Sequence, residues 1–138
     1  MKKSIISVIL IAMIALTGCS SSEAFTGEKV GEVVADSGDK TIATVKFENG
    51  EPVDVDIDVE TKDGMKSQLS KDGSYDRMND GMKWHEQADA LEDMIIAENF
   101  DLAKITIDDS GKTDAITGVS IDVDEYLEAI QKALNQVK

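Results

Sequence analysis

The stretch TIATVKFENGEPVDVDIDVE, Thr41 to Glu60, predicts the central element of the fold, a β-hairpin. Apolar side chains alternate with polar ones in its first half, Thr41 to Glu48, and more strictly in its second half, Pro52 to Glu60. This period of two is typical of strands that are buried on one face. The intervening Asn49-Gly50 favours the tight turn of a hairpin. The side chains of the second strand that we expect to face the core are Val53, Val55, Ile57 and Val59.

Shorter strands and loops are predicted on both sides of this hairpin. Gly31 to Ala35 and Ala103 to Ile107 are short apolar runs that favour strands. Thr61 to Asp80 is polar and contains two Asp-Gly pairs, so we expect loops with at most one helical turn. Ser110-Gly111 predicts a turn.

A first amphipathic helix is predicted after the polar segment. It is expected to start at Asp80 or Gly81 and to end at Asn99. The apolar positions at helical spacing are Trp84, Ala88, Leu91 and Ile95. For Trp84 this pattern favours core packing, and the alternative is a wall against a flat ligand.

A second helix is predicted at the C-terminus. It begins near Val123, with Asp122 as its cap and Glu125 reaching back as in a capping box. Its apolar stripe is Tyr126, Leu127, Ile130, Leu134 and Val137. The fold class is therefore α+β: a small antiparallel sheet with an Asn-Gly hairpin, helices packed on one face and a C-terminal helix.

Residues 1–18 predict a secretory signal peptide. Lys2 and Lys3 precede an apolar run from Ile5 to Leu16, and small residues follow it. About 12 apolar residues make roughly 18 Å of helix, well short of the roughly 30 Å hydrocarbon core of a bilayer. We expect removal of this segment. An alternative is that Ile5 to Gly18 yields an apolar peptide pheromone, as some Gram-positive lipoprotein signals do.

The end of this segment, Leu16-Thr17-Gly18-Cys19, resembles the lipobox of bacterial lipoproteins. The resemblance implies that Cys19 is acylated, with palmitate among its chains, and becomes the mature N-terminus. Several acyl chains on one residue give stable anchoring. Residues 19–28 are then the lipidated N-terminus and tether, residues 29–138 the folded domain, and the expected location is the extracytoplasmic face of the cell membrane.

The charge of the chain excludes two classes of partner. The formal net charge is −14, and removal of Lys2 and Lys3 lowers it to −16. A polyanion repels nucleic acid and anionic lipid headgroups. We expect no nucleic-acid partner, and attachment to the membrane must come from acylated Cys19.

The sequence lacks the residue patterns that a metal site or a catalytic centre requires. His85-Glu86-Gln87-Ala88-Asp89 departs from the zinc motif H-E-x-x-H at its last position, and His85 is the only histidine. The outward carboxylates of the second strand follow one another about 6.6–6.8 Å apart, too dispersed for all four to bind one calcium ion: Asp54, Asp56, Asp58 and Glu60. We predict no metal and no catalytic residues.

A motif before the last helix carries the functional hypothesis. Asp114-Ala115-Ile116-Thr117-Gly118-Val119-Ser120 resembles the flavinylation motif of the FMN-binding domain family, in which a flavin transferase esterifies FMN to the last hydroxyl. Val119 replaces the usual alanine. Nearly the whole mature chain also resembles small membrane-anchored lipoproteins of the "major membrane immunogen" type. This resemblance includes the stretch Trp84-x-Glu86-Gln87-Ala88.

This resemblance implies a cell-surface electron carrier. Ser120 would be the acceptor for FMN, Gly118 the close-approach glycine, and Asp114 and Thr117 motif partners, with Trp84 beside a flavin held covalently or non-covalently. The implied partners are a flavin transferase and a membrane redox partner. The alternative is a non-redox surface binding module that kept the fold without the flavin, in which Thr117 to Ser120 form only a helix entry.

Overall fold

The computed structural model describes residues 23–75 and 81–138, and its elements confirm the α+β class. The four strands are β1 (Gly27–Val34), β2 (Lys40–Glu48), β3 (Glu51–Thr61) and β4 (Gly64–Met65). The three α-helices are α1 (Lys66–Asp72), α2 (Trp84–Ala97) and α3 (Asp124–Leu134), with a 3₁₀ turn at Leu102–Lys104. In the described ranges, no helix combines the length and the apolar character that crossing a membrane requires. The predicted signal peptide and Cys19 lie outside these ranges.

The strands form one antiparallel sheet in the order β1-β2-β3-β4. The predicted hairpin is confirmed: Glu48 pairs with Glu51 around Asn49-Gly50. The turn residues have φ values of 53° and 84°. Two successive positive φ angles are what a tight hairpin turn requires, and Asn and Gly adopt them most readily.

The side chain of Val53 in this hairpin faces outward, whereas we predicted that it would face the core. Lys46 pairs with Asp54, whereas Phe47 pairs with Pro52, so Val53 has no opposite residue. This bulge turns Val53 outward, and its side chain is 38% exposed. The other three apolar residues of β3 lie in the core, as predicted.

The helices cover one face of the sheet, as predicted. Helix α3 packs across β1 and β2, and α2 packs against β3. The directly paired Gly31, Ala43 and Ile57 share this inner face, and α3 approaches Gly31 without an intervening side chain. The core therefore lies between the sheet and the pair α2 and α3.

The first strand begins earlier than the run predicted from Gly31. It starts at Gly27, before the predicted domain start at residue 29. Phe25 packs against Phe47, with ring centroids 5.9 Å apart, and the amide of Gly50 donates to the carbonyl of Phe25 over 2.8 Å. The segment just before β1 is thus joined to the β2–β3 turn.

The strand predicted over Ala103 to Ile107 is wrong. The 3₁₀ turn occupies its start, and only Ile107 forms an isolated bridge, with Thr113. Asn99 and Phe100 both have positive φ, so the chain reverses directly after α2. This reversal leaves no extended segment beside the sheet. The turn at Ser110-Gly111 is confirmed, because the amide of Gly111 donates to the carbonyl of Asp108.

Several predicted helix boundaries also differ. The polar segment after β3 contains β4 and the two-turn α1, and residues 76–80 lie outside the described ranges. Helix α2 starts at Trp84, where the carboxylate of Glu86 accepts the amide of Lys83 over 2.6 Å. The predicted cap of α3 is wrong: Val123 occupies that position, and its amide donates to the carbonyl of Gly111 over 2.7 Å.

Candidate functional site

A cleft of about 390 Å³ opens beside Ser120, at the N-terminal end of α3. Its walls come from the start of α1, the start of α2, the turn at Ser110 and the loop that leads into α3. Ser120 is partly exposed and lines this cleft together with Trp84. The structure therefore brings together two of the five residues that were predicted to bind a cofactor.

The aromatic wall of the cleft is held from inside the core. Trp84 is 2% exposed, and its Nε1 donates a hydrogen bond to the hydroxyl of Tyr126 over 3.2 Å. The two rings meet edge to face, with centroids 6.2 Å apart. Burial raises the pKa of the Tyr126 phenol to about 12, so it stays neutral at physiological pH. Trp84 thus packs in the core, as predicted, and the small exposed part of the residue lines the cleft.

Positive charge enters the cleft from two sides. The ammonium of Lys66 lies 5.6 Å from the centroid of the Trp84 ring and 5.2 Å from that of Tyr75, within cation–π distance of both. Lys112 lines the cleft from the turn that precedes α3. Neither lysine was a candidate in the sequence analysis, because both are distant from Ser120 along the chain.

Three carboxylates line the same cleft: Asp122, Asp124 and Glu125. With two lysines against three acids, the formal charge of the described lining residues is negative. The amide of Glu125 is already bonded to Oδ1 of Asp124 over 2.9 Å. The start of α3 therefore offers a phosphate fewer free amides than a bare helix N-terminus would.

Gln87 fixes the position of Ser120, and sequence reasoning missed this role. Its fully buried side-chain oxygen accepts the amides of Ser120, over 2.8 Å, and Ile121, over 3.3 Å. Its nitrogen donates to the carbonyl of Met82 over 3.0 Å. The hydroxyl of Ser120 lies 3.5 Å from the same oxygen. The available signal was a polar residue on the apolar stripe of α2.

The remaining motif residues do not line the cleft. Thr117 is exposed, and Asp114 lies in a separate hollow, with Oδ1 3.4 Å from the hydroxyl of Thr106. Gly118 has a φ of 87°, and a Cβ there would lie 2.3 Å from the sulfur of Met82. The glycine thus shapes the loop against Met82, and it lies outside the lining of the cleft.

His85, the one histidine in the sequence, has a hydrogen-bonding role between two helices. His85 Nδ1 lies 2.8 Å from the hydroxyl of Ser70, which also accepts the amide of His85 over 3.1 Å. Ser70 has no exposed surface, so it is not available as a nucleophile. The pair joins α1 to α2. Within residues 23–75 and 81–138, His, Cys, Asp and Glu side chains form no cluster that could hold a metal ion.

The chain is similar to one solved structure of a bacterial protein. No protein-family model matches it, and no curated protein matches it. The match is the solution NMR structure of a Clostridium thermocellum protein determined by a structural genomics consortium, with 34% sequence identity and a TM-score of 0.58. The alignment covers 80% of this chain and 90% of that one. At this identity and coverage, the chain belongs to the same family as the Clostridium thermocellum protein.

Proposed function

We propose that this protein is a lipid-anchored electron carrier of the extracytoplasmic membrane face, with FMN held in the cleft and esterified to Ser120. The observation that carries the proposal is the place of the Ser120 hydroxyl: the residue is partly exposed, at the edge of a cleft that aromatic, basic and acidic side chains line. Cleft volumes of about 300–1,000 Å³ are usual for small-molecule sites. Bound FMN would supply the redox chemistry, and the protein its position and electrostatics.

Part of the lining of the cleft suits a flavin nucleotide. Lys66 and Lys112 place positive charge at the cleft, where a phosphate would bind, and the partly buried ring of Tyr75 lines it beside the edge of Trp84. Gln87 holds the backbone of Ser120 against α2, so that the acceptor hydroxyl stays beside the cleft. The neutral phenol of Tyr126 adds no negative charge next to a flavin.

The attachment step needs a transferase and an activated flavin dinucleotide. Oγ of Ser120 attacks the phosphorus next to the flavin, the pyrophosphate bond breaks and a nucleoside monophosphate leaves. The serine proton is released to solvent, and no electrons are transferred. Gln87 is not a base for this step, since an amide oxygen only accepts a hydrogen bond.

A second candidate function is supported by the three carboxylates at the cleft. Asp122, Asp124 and Glu125 oppose a phosphate by Coulomb repulsion and favour a neutral or cationic ligand. In that case the protein is a non-redox binding module on the cell surface.

Intact mass and visible absorbance separate the two candidates. The chain is co-expressed with a flavin transferase, alongside Ser120→Ala and the control Ser110→Ala, which removes another hydroxyl from the cleft. The carrier proposal predicts a yellow protein with one FMN adduct, kept in Ser110→Ala and lost in Ser120→Ala. Colourless protein of unmodified mass in all three forms would favour the binding module.

A further inference from the structure

The described chain enters the domain at one end of the sheet, and the cleft lies at the other end. At one end, β1 begins and the β2–β3 turn lies beside it, with Gly27 paired to Phe47. At the other end, Val34 pairs with Lys40, and the chain passes from β3 through β4 into Lys66. Lys66 lines the cleft.

The direction of helix α3 shows independently that the cleft lies at the end of the sheet opposite to the point where the chain enters the domain. Its C-terminal end lies over the start of β1, since Gln136 donates to the carbonyl of Val30 over 2.7 Å and Lys132 to that of Glu32 over 3.2 Å. Helix α3 therefore runs antiparallel to β1. The N-terminal end of α3, which borders the cleft, points away from the end at which the chain enters the domain.

The chain enters the domain at a defined place. Glu23, Phe25 and Gly50 line one hollow together with Val137 and Lys138 from the last turn of the chain. The bond from Gly50 to the carbonyl of Phe25 fixes this segment to the hairpin turn. Only the residues before it are available as a tether.

From these positions we infer that the cleft opens at the membrane-distal end of the domain, where it faces the aqueous phase. The inference rests on the lipid anchor of the proposed function and is independent of flavin. A component confined to the bilayer itself would meet the hairpin end of the domain rather than the cleft.

The length of the tether limits any inversion of the domain. Cys19 to Ala24 is six residues, which reach at most about 21 Å when fully extended. The eight residues of β1 alone span about 26 Å. The tether is therefore too short to run back along the domain and bring the cleft to the bilayer. The formal charge of −16 after signal removal also repels an anionic lipid surface.

Two matched cysteine variants of the full, lipidated chain test this orientation. Glu51→Cys lies at the hairpin end and Asp122→Cys at the cleft, and both replace an exposed acidic residue. Acylation of Cys19 leaves each variant with one free thiol. The protein is placed in neutral phosphatidylcholine vesicles, and its reaction with a protein-sized polyethylene-glycol maleimide is timed. A control form of each variant carries twenty Gly/Ser residues inserted after Ser22.

The expected result is asymmetric. Glu51→Cys reacts several-fold more slowly with the natural tether than with the long one, whereas Asp122→Cys reacts at the same rate with both. Equal slowing at both positions, or slowing at Asp122→Cys alone, would overturn the inference. An intact mass without acyl chains on Cys19 would overturn the anchor and the orientation together. Absence of an FMN adduct at Ser120 would overturn only the carrier.

Discussion

The carbonyl oxygen of Ala129 lies so close above Gly31 that a Cβ on the glycine would be 1.8 Å from it. The amide nitrogen of Ala133 would be 2.8 Å from the same Cβ. Both alanines are fully buried. Helix α3 thus contacts β1 backbone to backbone, and this contact sets the height of α3 above the sheet and the position of the cleft at its N-terminal end.

Gly31→Ala should therefore destabilise the protein by about 3 kcal/mol or more, because backbone atoms of a packed helix must move to admit the methyl group. Urea unfolding measures the loss. Gly38→Ala is the matched control: nothing lies within 4 Å of its Cβ, but its φ is +90°. We expect about 1 kcal/mol there, from backbone strain alone. Equal losses in the two variants would contradict the close contact.

Gln87→Leu should destabilise the protein by about 2–4 kcal/mol, because the amides of Ser120 and Ile121 and the carbonyl of Met82 lose their buried partner. The two amides should also exchange their hydrogens much faster in the variant. Amide exchange followed by NMR gives this local readout. Gln131→Leu, on the exposed side of α3, should change stability by less than about 0.5 kcal/mol. Unchanged protection of Ser120 in Gln87→Leu would contradict the role of Gln87.

Regular patterns predicted most of the fold, and local irregularities account for the errors. The alternation in β3 predicted its inner face correctly except at Val53, where a bulge adds one residue that periodicity does not reveal. The amphipathic spacing predicted α2 and α3. Short α1 has little apolar stripe, and the reversal at Asn99 and Phe100 depends on two unusual φ angles.

The site was less predictable than the fold, because it is assembled from distant segments. The motif predicted Ser120 as a site residue, and the aromatic character of Trp84 predicted a contribution from α2. Lys66 and Tyr75 reach the cleft, and Gln87 reaches the backbone of Ser120, only through the packing of α1 and α2 on the sheet. Chemical type alone cannot reveal such neighbours.

Tyr126→Phe should cost about 1–2 kcal/mol, because the buried Nε1 of Trp84 loses its acceptor while the ring packing is kept. Thermal unfolding measures this loss, and the fluorescence of Trp84, the only tryptophan, reports the local change. The control Tyr75→Phe removes a hydroxyl from the same cleft, where no hydrogen bond to Trp84 is involved. A loss in Tyr75→Phe as large as that in Tyr126→Phe would contradict the assignment.

Carboxylates occupy the open edge of β3. The side chains of Asp54 and Asp58 accept the amides of Val55 and Val59, over 3.0 and 2.8 Å. Between them, Glu92 of α2 accepts the amide of Ile57 over 2.7 Å. Among residues 23–75 and 81–138, no further strand lies beside most of β3, so these groups satisfy edge amides that would otherwise be available to another chain.

Glu92 should make the stability of the protein depend on pH. Burial, reinforced by neighbouring carboxylates such as Asp56, raises the pKa of Glu92 to about 7 from a usual value of 4.5. The folded state then binds more protons than the unfolded state between these two values. The contribution of Glu92 to stability is therefore fully present below about pH 4.5 and is lost as the pH rises through 7.

Glu92→Gln keeps an oxygen for the amide of Ile57 but cannot ionise. We expect it to stabilise the protein by about 1 kcal/mol at pH 8, after allowance for solvent screening, and to have little effect at pH 4.5. Urea unfolding at pH 4.5, 6 and 8 measures the difference. Asp93→Asn removes the same charge from an exposed position of α2 and controls for the general relief of negative charge. A gain at pH 8 no larger than that of Asp93→Asn would show that burial of Glu92 has no energetic consequence.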